Sequence, residues 1–88
     1  MHAVVVEVTL KDEEKARAAL SQQIVPGVRQ LAGVQGGFWL EPKSGQGLSF
    51  VLFDSEEHAR DAAQTVRDRV PEFVEVRSVD VREVIEHV

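Results

Sequence analysis

Asp54-Ser55-Glu56-Glu57-His58-Ala59-Arg60-Asp61-Ala62-Ala63 decides the fold, because the chain writes the same design twice. Forty-three residues earlier stands Lys11-Asp12-Glu13-Glu14-Lys15-Ala16-Arg17-Ala18-Ala19-Leu20. Both copies carry a capping residue, two glutamates and an Ala-Arg-x-Ala core at matching places. Both follow a β-rich run, Val4 to Leu10 in the first and Leu48 to Phe53 in the second. Self-similarity at a period near 40 residues marks a repeated structural unit. Two copies make a duplicated unit and not a solenoid.

Outward from the repeat, the remaining elements follow. His2 to Leu10 alternates as a strand, with Val4, Val6, Val8 and Leu10 on one face and Ala3, Val5, Glu7 and Thr9 on the other. Asp12 caps a helix whose first-turn glutamates suit the dipole. Its apolar stripe runs Ala16, Ala19, Leu20, Gln23, Ile24, Val28 and Leu31. Pro26-Gly27 interrupts it, because proline lacks the N–H and crowds the carbonyl four residues back; a kink or break is expected there. A short second segment runs to about Ala32, and Gly33 stops it. Val34 to Glu41 is a second strand with a bulge or close backbone approach at Gly36-Gly37. Pro42-Lys43-Ser44-Gly45 is a turn, and Gln46 to Phe53 completes a hairpin. The second helix starts at Asp54 or Ser55, with Asp54-x-x-Glu57 as a capping box. It carries Ala59, Ala62, Ala63, Val66 and Val70 inward and ends before Pro71. Val74 to Val84 is the last strand, with an alternation slip between Val76 and Val79 that predicts a bulge.

The order β-α-β-β-α-β is the split ferredoxin-like arrangement, an α+β fold within one domain spanning residues 1–88. Right-handed crossovers put both helices on one face of a four-stranded antiparallel sheet. By the repeat, Val6, Val8 and Leu10 match Ser49, Val51 and Phe53 beneath the helices. If Glu41 pairs with Gln46, Phe38 and Leu40 join them. The open face then carries Val5, Trp39, Leu48, Phe50 and Leu52, with Glu7 and Thr9 among them. An apolar face of that size calls for cover. A second copy applied face to face supplies it as an isologous homodimer, a dimeric α+β barrel.

Composition narrows the function classes. The 88 residues are 43% hydrophobic and 28% charged, with net charge −5 and no basic block. Nucleic-acid surfaces need clustered Lys and Arg, so no nucleic-acid partner is expected, and no anionic membrane surface either. No apolar run approaches the ~20 residues of a membrane helix, and no secretion signal opens the chain; the expected location is cytoplasmic. The chain has no cysteine and three histidines, which disfavours a conventional zinc site, so no metal is expected. No flavin, nicotinamide or phosphate-loop motif is present, so no cofactor is expected.

Few side chains suggest chemistry. Glu7, among Val5, Phe50 and Leu52, would have a raised pKa if buried and would then serve as a base toward a phenol or enol. More plainly, it pairs with Arg77 or Arg82, or lies exposed. His58 titrates near neutrality and suits a base, but its helix-edge place matches Lys15 and fits a solvated residue. Trp39 is suited to stacking on a flat ligand and, more plainly, to anchoring a dimer interface. Glu13/Arg17 and Glu56/Arg60 are i,i+4 pairs on solvated faces.

Val4-Val5-Val6-Glu7-Val8-Thr9-Leu10, Ile24-Val25-Pro26, Gly33-Val34-Gln35-Gly36-Gly37-Phe38-Trp39 and Phe50-Val51-Leu52-Phe53-Asp54-Ser55-Glu56-Glu57-His58-Ala59-Arg60 together resemble the small dimeric α+β-barrel proteins of the antibiotic-biosynthesis-monooxygenase (ABM) type. The likeness of layout covers nearly the whole chain and is strongest where the third strand runs into the second helix. It implies a homodimer with a small apolar cavity per subunit. It also implies a cofactor-independent monooxygenase acting on a small aromatic substrate, with Trp39, Phe50 and Phe53 as ligand contacts. The haem-degrading branch uses an Asn on the first strand and a Trp at the end of the third. Here that strand has no Asn and Phe53 stands at the Trp position. The alternatives are a non-catalytic ligand-binding or dimerisation module of the same fold, and an isomerase or decarboxylase using Glu7 or His58 as base.

Overall fold

A computed structural model describes residues 1–88. One antiparallel sheet of four strands runs in the order β2-β3-β1-β4. Its strands are β1 (His2–Leu10), β2 (Val34–Trp39), β3 (Gln46–Phe53) and β4 (Val74–Glu83). Between β1 and β2 lies a helical arm of three parts: α1 (Glu13–Ala19), a π-helical turn (Leu20–Ile24) and α2 (Val25–Arg29). Between β3 and β4 lies α3 (Glu56–Asp68).

The repeat reappears as matched helix starts. Asp12 accepts from the Lys15 N–H at 3.0 Å, and Ser55, its equivalent, accepts from the His58 N–H at 3.2 Å. Ser55 is therefore the cap, and the expected Asp54-x-x-Glu57 box does not form. The Asp54 carboxylate turns instead to His58. Both i,i+4 pairs form on exposed faces, Arg17–Glu13 at 3.3 Å and Arg60–Glu56 at 3.2 Å.

Pro26 acts one turn earlier than expected. The Val25 N–H reaches back five residues to the Leu20 carbonyl, a π turn, and the helix then continues through Pro26 to Arg29. A widened turn keeps the arm continuous past a residue that cannot donate.

The core forms where α3 meets the sheet. Val4, Val6, Val51 and Phe53 pack against Ala59, Ala62 and Ala63, all buried, and Phe53 is only 1% exposed. Small alanines let the α3 backbone lie close to the strands. The helix-facing stripes of β1 and β3 are those the repeat specified, Ser49 opposite Val6 included. The β4 bulge also falls where expected: Ser78 pairs with Glu7 and Val76 with Val8, so Arg77 is the extra residue.

The β2–β3 register differs from expectation by one residue. The assumed Glu41–Gln46 pair is absent; Gln46 pairs with Lys43 across a two-residue turn, Ser44-Gly45, with φ of 53° and 74°. Positive φ at both central residues fits the type I′ turn that suits strand twist. The Leu40 N–H bonds the Leu48 carbonyl, so Glu41 and Pro42 together stand opposite Gly47. Pro42 has no N–H for the ladder, and the bulge forms at it. Trp39 therefore pairs with Ser49 and Phe38 with Phe50. A slip of one residue exchanges faces. Trp39 lies beneath the helices, not on the open face, and Phe38 lies on the open face, not beneath the helices.

Candidate functional site

The helical arm roofs the sheet without settling onto it. Ala16 and Ala19 are buried, but Leu20, Ile24, Val28 and Leu31 are only half-buried and face a cavity of about 500 Å³. The opposite wall is the helix-facing stripe of the sheet: Val4, Val6, Val8, Ser49, Val51 and Phe53, with Trp39 beside Ser49. The cavity exists because α3 holds one side of the sheet closely through its alanines while longer side chains and the π turn hold the arm further out. Its volume lies within the ~300–1,000 Å³ of small-molecule pockets, and its lining is overwhelmingly apolar.

Trp39 lies along β2. Its ring atom Cη2 comes 3.4 Å from where a Cβ on Gly37 would sit, on a residue facing the same way. A Cβ there would touch the indole and press closer on the Phe50 carbonyl oxygen, at 3.2 Å, and Val51 Cγ2, at 3.3 Å. The charged side chains lining the cavity are Arg17, Glu41 and Arg69, all on exposed residues. Arg17 is held by Glu13.

The sequence candidates divide between cavity and surroundings. Trp39 and Phe53 line the cavity. Phe50 pairs with Val5 and Phe38 and lies on the open face, apart from those two. Leu48 and Leu52 share the Phe50 face, opposite Glu7 and Ala3 respectively, and Leu48 also lines the cavity. Glu7 is exposed there, and its Oε2 accepts from the Ser78 hydroxyl at 3.1 Å, not from Arg77 or Arg82. Neither Glu7 nor His58 lines the cavity.

His58 has a different setting. Its Nδ1–H donates to Asp54 Oδ1 at 2.7 Å, and the two side chains crowd Gly33, at the end of the arm. The Asp54 N–H also donates to the Gly33 carbonyl at 2.9 Å. Gly33 sits at φ 78°, and a Cβ there would overlap Asp54 Oδ1 and His58 Nδ1. The Asp54 hydrogen bond raises the His58 pKa above its ordinary 6.5, and the His58 hydrogen bond lowers that of Asp54 below 3.8. This cluster clamps the arm's exit to the start of α3. No group of three or more His, Cys, Asp or Glu side chains is placed to hold a metal ion.

Sequence reasoning missed the roof and Ser49. The roof had a signal in the stripe Leu20-Ile24-Val28, although Gln23, also assigned to it, is exposed. Ser49 had one too: it is the hydroxyl in a stripe whose matched position in the first copy is Val6. No helix is long and apolar enough to cross a membrane. No protein-family model matches the chain, and no curated protein matches its sequence.

Proposed function

We propose that this chain binds a small aromatic molecule in the cavity between sheet and helical arm, within a dimeric α+β barrel of the ABM-like kind. The carrying observation is the 500 Å³ apolar cavity with Trp39 and Phe53 in its wall. An open cavity of that size leaves its apolar walls against water, and an apolar occupant covers them.

The strand order β2-β3-β1-β4 supports the ferredoxin-like half of the reading, because it is the order such a duplication produces. The open face supports the dimer. Phe38 is 60% exposed and Leu40 48%, adjoining Phe50, Leu48, Leu52 and Val5. A second copy of the same patch is self-complementary by symmetry.

Cofactor-independent oxygenation of the bound molecule is the second reading, and Glu41 favours it as the one carboxylate lining the cavity. It would take a proton from an activated ring CH₂ or phenol. The resulting anion gives its electrons to O₂, so that R₂CH₂ + O₂ becomes R₂C=O + H₂O without an outside reductant.

Calorimetric titration with 1-naphthol and anthrone tests the first reading, and oxygen uptake with anthrone tests the second. Binding with saturable 1:1 stoichiometry per chain is expected. Failure of both compounds to bind at millimolar concentration refutes the ligand reading. Binding without oxygen uptake refutes the oxygenase reading alone.

A further inference from the structure

We infer that Ser49 and Trp39 form the polar, specificity-setting wall of the cavity, so that its occupant is an aromatic molecule bearing a ring hydroxyl or carbonyl and not a plain hydrocarbon. This rests on the ligand-binding reading above.

Ser49 is anomalous where it stands. It sits on β3 between Val6 on β1 and Trp39 on β2, facing the helices. Val4, Val6 and Val8 of β1 and Val51 and Phe53 of β3 share its stripe. Valine, found at the matched position in the first copy, suits a strand better than serine and would help fill the cavity. Nothing in the chain uses the hydroxyl: no side-chain hydrogen bond involves Ser49 Oγ or the Trp39 indole N–H. Neither atom is sealed away, since the buried unpartnered side-chain polar atoms are His2 Nδ1 and Thr9 Oγ1. Both residues line the cavity and are neighbours across one rung of the ladder.

Two paired residues that each carry a free hydrogen-bonding group, in the wall of an otherwise apolar pocket, are the kind of polar element that fixes a ligand's orientation. Serine donates and accepts, and indole only donates. Together they match an oxygen atom: a ring carbonyl taking both donors, or a ring hydroxyl donating to or accepting from Ser49. A hydrocarbon displaces water from both groups and pairs with neither, so the site discriminates against it. Arg17, Glu41 and Arg69 also line the cavity, but on exposed residues away from the Ser49–Trp39 rung.

Naphthalene and 1-naphthol are the probes, titrated calorimetrically into wild type, Ser49→Ala, Ser49→Thr and Trp39→Phe. Wild type is expected to prefer 1-naphthol by roughly 2- to 12-fold, the range one neutral hydrogen bond supplies. Ser49→Ala should abolish most of that preference, both by weakening 1-naphthol and by relieving the desolvation cost that naphthalene meets at the hydroxyl. Ser49→Thr, which keeps the hydroxyl, should retain it even if the alanine variant folds poorly. Trp39→Phe should reduce it. Equal binding of both probes by wild type, or an undiminished preference in Ser49→Ala, overturns the inference and leaves the cavity reading standing. Binding of neither probe overturns both.

Discussion

Replacing Gly33 with alanine tests the clamp between the helical arm and α3. At φ 78° an L-residue meets its own carbonyl, a cost of about 1–2 kcal/mol. The added Cβ would also overlap Asp54 Oδ1 and His58 Nδ1, so that pair must open or move. In a chain of this size 1 kcal/mol displaces the melting temperature by about 4–8 °C, and strain plus displacement should lower it by roughly 5–15 °C. Thermal and urea unfolding followed by circular dichroism measure this. The two causes separate in the Asp54→Ala/His58→Ala background. Ser55 still caps α3 there, and the three atoms nearest the added Cβ are gone. Gly33→Ala should then show the backbone strain alone and cost less than in wild type. A loss below about 0.5 kcal/mol in wild type would refute the strained backbone. Equal losses in both backgrounds would refute the close approach.

The Asp54–His58 pair predicts a pH window. Asp54 is held below 3.8, so its contribution is present above that value and fades as pH falls through its folded pKa. His58 is held above 6.5, so its contribution is complete below that value and fades as pH rises through its folded pKa. The stability difference between wild type and His58→Ala should therefore peak between about pH 4 and 6.5 and shrink on either side; a difference constant from pH 3 to 9 contradicts the pairing. At the open face, Phe38→Arg or Phe50→Asp should convert the proposed dimer to monomer in sedimentation velocity at micromolar concentration. Trp39→Ala, on the other face, should leave it intact. A monomer from Trp39→Ala and a dimer from both Phe variants would reverse the assignment of faces.

Much of this architecture was legible because two independent sequence signals agreed. Alternation in Val4-Val6-Val8 and the helical spacing Ala59-Ala62-Ala63 each name an inward face, and the repeat ties one copy to the other. These residues became the core. The hairpin register was not legible, because Pro42-Lys43-Ser44-Gly45 admits two turns. The tighter one needs positive φ at Ser44 as well as Gly45, and serine does not advertise that conformation as glycine does. The choice moved one residue and thereby exchanged Trp39 with Phe38 across the sheet. The cavity was illegible for a different reason. A helical stripe says which side chains point inward but not how far the backbone stands from what it faces. In α3, alanine at every buried position brings the backbone close. In the arm, alanine gives way after Ala19 to Leu20, Ile24 and Val28, while the π turn changes the phase of the stripe and exposes Gln23. The two halves of the duplication share their first turns and diverge after them. Closeness in one half and standoff in the other leave the space, and Ser49 faces it where the first copy has Val6.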